Sequence, residues 1–120
     1  MAFQPHYRIS VQKESDALAD TGVADVTLPA PSRLPAADVL AVRVAMAIAN
    51  KLTVGQEGRL EFKEYCVYVN YCPSFGESEL LATVVRAYSW DQDADYTFAS
   101  AHIGRIPYAE IDALNNVVAS

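Results

Sequence analysis

Pro35 to Leu52 reads PAADVLAVRVAMAIANKL, a run in which only Asp38, Arg43, Asn50 and Lys51 are polar. At about 100° per residue it forms one helix whose apolar arc is far wider than the roughly 100° stripe of an ordinary surface helix. Ala41, Ala45 and Ala49 make a small-residue ridge, flanked by Val39, Val42 and Met46 on one side and Leu40, Val44 and Ile48 on the other. The ridge lets a partner layer approach closely. The wide arc asks for cover on more than one side, by a sheet plus a second layer or a partner chain. Pro35 suits the first helical turn, where its missing N–H is no loss.

Working outward, HYRISVQK at His6 to Lys13 alternates, with Tyr7, Ile9 and Val11 on one face, and reads as a strand. Val23 to Leu28 is a short second strand or an extended arm, and Pro29, Pro31 and Pro35 stiffen the path into the helix. After Gly58 the chain is rich in Tyr, Val and Phe, and three strands fit. In the first, Leu60 and Phe62 share one parity while Tyr65, Val67, Val69 and Tyr71 share the other, which implies a bulge around Lys63 and Glu64. The second runs from Leu80 to Trp90, and DQDAD at Asp91 to Asp95 turns into the third, Tyr96 to Ile106. Pro107 opens a last helix to about Ala119, with Ile111, Leu114 and Val118 at helical spacing.

The expected fold is therefore α+β in a single domain spanning residues 1–120: an antiparallel sheet of three to five strands packed on one long buried helix plus a C-terminal helix, in the order β(β)αβββα. At 120 residues one core suffices without metal or disulfide. The helix, three-strand meander, helix order is that of double-stranded-RNA-binding domains. Its last helix, YAEIDALNNVVAS, has no lysine or arginine where those domains carry a basic cluster, so no family is assigned.

Charge narrows the function classes. Residues 1–60 hold six basic and six acidic side chains, whereas residues 61–120 hold three and nine, so the net charge of −6 lies in the second half. Phosphate binding needs clustered Lys and Arg, so direct nucleic-acid contact is disfavoured and a basic protein partner is favoured. No segment approaches the roughly 20 apolar residues of a membrane span, and the N-terminus lacks a signal-peptide pattern, so the expected setting is cytoplasmic, away from membranes.

Chemistry-bearing motifs are sparse. Asp91, Asp93 and Asp95 have the spacing that opens a calcium loop, but Tyr96 and His102 stand where an EF-hand needs Gly and Glu. Cys66 and Cys72 lie in one strand, some 20 Å apart and beyond the reach of a disulfide, and read as buried free thiols without His or acid partners. His102 falls inside a strand, and neither it nor His6 has ligand-spaced neighbours. No catalytic residue, cofactor or metal ligand is expected.

What remains is surface. Antiparallel pairing brings the start of the first meander strand beside the end of the second, so Glu61 and Glu64 approach Asp91, Asp93 and Asp95, with Lys63 the nearby base. Tyr68, Tyr88 and Trp90 border that acidic end, and Tyr and Trp are favoured in binding hot spots. The expected function is a small acidic, non-catalytic protein-binding module that uses these eight residues. An inhibitor or immunity protein fits, and in its sharpest form an anti-CRISPR-like phage or mobile-element protein masking a basic nucleic-acid-binding surface. The alternatives are a homodimeric structural or assembly protein, and a small enzyme or ligand-binding domain.

Overall fold

The computed structural model describes residues 3–14, 21–30, 35–57, 63–102 and 106–119, with the side chains of residues 21 and 117–119 left aside. The elements are β1 (His6–Glu14), β2 (Thr21–Pro29), α1 (Pro35–Asn50), β3 (Glu64–Cys72), β4 (Glu79–Ser89), β5 (Ala94–Ala101) and α2 (Tyr108–Ala119). One turn of helix, residues 55–57, follows α1. The five strands form one sheet in the order β2-β1-β3-β4-β5, each antiparallel to its neighbours. The α+β architecture and the order β(β)αβββα read from the sequence are those of the structure.

Strand alternation decides which side chains meet α1. The register aligns Ile9 with Val69 and Val11 with Val67, then Val67 with Val84 and Val69 with Ala82, and Val84 with Ala99. All of these are fully or almost fully buried, and Ala41, Val42, Ala45 and Ala49 of α1 are buried with them. Small residues sit on both sides of this contact, the alanine ridge on the helix and Ala82 and Ala99 on the sheet, which is how the two layers come close enough to exclude water. Burying about 25 cal/mol per Å² of apolar surface makes this layer the main source of stability.

Asp38 departs from the polar pattern, because it turns into the core and accepts a hydrogen bond from the Tyr7 hydroxyl. Its place in the first turn of α1 also puts a negative charge at the positive end of the helix dipole.

Several boundaries move. The long helix ends at Asn50 rather than Leu52, where Lys51 and Leu52 donate backbone hydrogen bonds to Ile48 and Ala49 at 3.1 and 2.9 Å. The stretch at Val23 to Leu28 is a full nine-residue strand. The last strand stops at Ala101 instead of running to Ile106, so His102 is exposed just beyond it, its N–H still donating to the Leu81 carbonyl at 2.8 Å. The expected bulge around Lys63 and Glu64 depends on residues 60–62, which lie outside the described residues. The irregularities that are seen fall at Val11/Gln12 and Val69/Asn70.

The expected cover of α1 comes from the sheet on one face, and among the described residues of this chain the opposite face is left open. One face packs on the sheet, while Leu40 is 58% exposed and Val39, Val44 and Ile48 are only partly buried. Among the described residues no helix is long and apolar enough to cross a membrane.

Candidate protein-binding site at the β4–β5 turn

Ser89 pairs with Ala94, so Trp90, Asp91, Gln92 and Asp93 form a four-residue hairpin tip. Asp93 adopts a φ of 51°, a left-handed conformation that Asp and Asn tolerate better than most residues. From there its carboxylate accepts a hydrogen bond from the Tyr88 hydroxyl. That bond, with neighbouring charge and partial desolvation, pushes the Tyr88 phenol above its ordinary value. Tyr88 in turn supports Trp90, whose ring meets it edge to face at 4.9 Å between centroids, while the indole stays 57% exposed. Asp91 and Asp93, which follow Trp90 in the tip, are exposed as well. The tip thus holds a large aromatic out into solvent, braced by Tyr88, and carries two exposed carboxylates beside it in sequence.

The root of the same hairpin is built differently. Asp95 accepts hydrogen bonds from the Val54 and Gly55 N–H groups, both at 2.8 Å, and so caps the helical turn at residues 55–57. Gly55 has a φ of 60°, which a side chain would strain. The Arg86 guanidinium lies 3.8 Å from Asp95, the two side chains being only 16% and 11% exposed. Arg86 also donates to the Leu52 carbonyl at 3.0 Å and to the Thr97 hydroxyl at 3.2 Å. The Thr97 hydroxyl in turn donates a hydrogen bond to Asn50 Oδ1 at 2.5 Å. No basic residue occupies the last turn of α1, so the strand-borne Arg86 supplies the cation that the negative end of that helix favours.

Of the eight sequence-selected residues, the fold brings Tyr88, Trp90, Asp91, Asp93 and Asp95 into this one hairpin. Glu61 lies outside the described residues. Glu64 sits at the same end of the sheet, opposite Ala87, but its parity places it on the face away from α1. Tyr68 shares that face, farther in, and donates to Glu14 Oε1 at 2.5 Å. Arg86, Thr97, Asn50 and Asn115 went unselected. A lone arginine in the apolar run VVRAYSW was the available signal for the first of them.

The sheet face away from α1 holds a second group. One donor atom from each of Glu14, Glu64 and Cys66 lies within 4.8 Å of the others, and these are the described residues that could hold a metal ion. Residue order shows no acid partners for Cys66; the β1–β3 register supplies both, by setting Glu14 directly opposite Glu64. Burial first, and then the hydrogen bond and charge of Glu14, push the Cys66 thiol up to about 12, and the Glu14 bond pushes the Tyr68 phenol up as well. The thiol is therefore protonated at neutral pH and poorly suited to nucleophilic work. Cys66 and Cys72 are both buried and unbridged.

An open cleft of about 910 Å³ runs from the hairpin along β5, lined by Arg86, Tyr88, Thr97 and Phe98 on the sheet, Asn50 at the end of α1 and Asn115 on α2. Comparisons with protein-family models, curated proteins and solved structures find no match.

Proposed function

We propose that this chain is a small acidic protein-binding module whose contact surface is the β4–β5 hairpin tip, and that its partner presents a basic surface. The observation that carries this reading is Trp90, an exposed residue whose ring is held edge to face by Tyr88 in the same hairpin tip as the exposed Asp91 and Asp93. An exposed aromatic costs solubility, and fixing it in one orientation lowers the entropy lost when a partner covers it. The net charge of −6 steers such a partner from a distance. A basic groove that otherwise holds nucleic acid is the surface such a module would mask, in the manner of an inhibitor or immunity protein.

The test is site-specific photo-crosslinking from position 92, at the exposed tip, in extracts of the native host. The reading expects one captured protein with a basic surface, with capture falling as salt rises and falling again in an Asp91→Asn, Asp93→Asn variant. Capture that ignores both salt and the two aspartates overturns it.

A second reading, a homodimer, is favoured by Phe98, which is 51% exposed near the exposed Tyr96 on the sheet face away from α1. Sedimentation equilibrium of the isolated protein separates the two, since a stable dimer without any other protein supports only the second.

A further inference from the structure

Resting on the protein-binding reading, we propose that the cleft beside β5 receives an extended, lysine-bearing segment of the partner as a short sixth strand. The phase of the β5 backbone is fixed by two observations. His102 N–H bonds the Leu81 carbonyl across the β4 ladder, and Asn115 occupies both the N–H and the C=O of Ala99, its Oδ1 accepting at 2.8 Å and its Nδ2 donating at 3.0 Å. Antiparallel ladders alternate, so Asp95, Thr97, Ala99 and Ala101 aim their backbone groups away from β4, while Tyr96, Phe98 and Ser100 pair with it.

Asn115 thus acts as a one-residue strand mimic that closes the edge at Ala99. Toward the hairpin the edge faces the cleft, where the backbone groups of Thr97 and Asp95 meet no other strand among the described residues. Such an edge is a template for strand addition. The distance from Asp95 to Ala99 is about 13 Å at 3.3 Å per residue, room for roughly four residues.

The chemistry of the occupant follows from the walls. Tyr96 and Phe98 line one side of the added strand, and Asn50, Arg86 and Asn116 line the other. Arg86 is already engaged by Asp95, Thr97 and the Leu52 carbonyl, so the charge left to attract a partner is that of the exposed Asp91 and Asp93, the sequence neighbours of Gln92, which lines the cleft. Alternation then favours lysines over the aromatic rings, where a cation gains from the π face, and small hydroxyl residues toward the amides.

The experiment titrates ¹⁵N-labelled protein with three capped hexapeptides: alternating lysine and threonine, alternating glutamate and threonine, and the lysine peptide N-methylated at every threonine, with hydrogen exchange followed for each. The lysine–threonine peptide is expected to shift and protect the Thr97 amide, and to bind about ten-fold or more tightly than either control. Equal binding of the methylated peptide, shifts confined to Asp91 and Asp93, or no shift at all would overturn strand addition. Loss of capture at position 92 on aspartate replacement, alongside an unperturbed Thr97, would leave the protein-binding reading standing and remove only this one.

Discussion

The tip and the root of the β4–β5 hairpin use the same residue type for opposite ends. At the root, Asp95 is nearly enclosed, accepts two backbone N–H groups and faces Arg86 beneath the end of α1. Two to four residues earlier, Asp93 and Asp91 stand in solvent beside an exposed Trp90. The difference teaches that spacing alone does not make an acidic patch. The pleat sends Asp95 to the helix side, and the turn carries Asp91 and Asp93 out of the sheet altogether.

If the root is fastened to the core, removing the core must release it. Ala45→Glu places an unpaired carboxylate where α1 meets the sheet, at several kcal/mol, comparable with the whole stability of such a domain. Circular dichroism should show no cooperative melt; a wild-type melt would detach the hairpin from α1 as described. A more selective cut is Asp95→Ala, which leaves Arg86 half-buried and two N–H groups uncapped, for an expected loss of about 2–4 kcal/mol in urea titrations.

Cys66 gives an intermediate case with a pH signature. Its folded pKa is raised, so the folded state holds the proton longer than the unfolded chain does, and the associated stability is complete below the unfolded value of about 8.5. As pH rises from there to about 12, stability should fall by up to about 1.4 kcal/mol per pH unit. Cys66→Ala should flatten that slope, and thermal melts across the window read it directly; an unchanged slope would assign the alkaline loss to other groups. The smallest effect belongs to the tip. Asp91→Asn with Asp93→Asn should change stability by no more than about 0.5 kcal/mol, since both carboxylates are exposed and Asn also tolerates the left-handed φ of residue 93. A loss equal to that of Asp95→Ala would erase the distinction between tip and root.

Much of this was legible from residue order. The period of PAADVLAVRVAMAIANKL marked α1, and the parity of Tyr65, Val67, Val69 and Tyr71 grouped them on one face, while only the packing shows that this face meets the helix. Parity also separates Tyr96 and Phe98 from Thr97, Ala99 and Ala101, but which set faces the helix depends on packing: the small residues win because α1 approaches through its alanine ridge. The convergence of Asp91, Asp93 and Asp95 was visible as sequence proximity. The partners of Asp95 were not, because Val54, Gly55 and Arg86 reach it only through tertiary contacts. The wide apolar arc of α1 did not reveal that Leu40 stays exposed within the chain, since an apolar arc does not by itself supply a second layer.

The central claim is that the exposed carboxylates of the tip, Asp91 and Asp93, and not the enclosed Asp95 of the root, steer a basic partner onto the hairpin. Its most direct test is the association rate of wild type and of the Asp91→Asn, Asp93→Asn variant with the protein captured at position 92, followed across a salt titration. Attraction between opposite charges is screened over about 10 Å at 0.1 M salt, so the variant should associate more slowly and respond less to salt, with a folded stability matching wild type. Identical rates and identical salt slopes would contradict the account and leave Asp91 and Asp93 as turn formers alone.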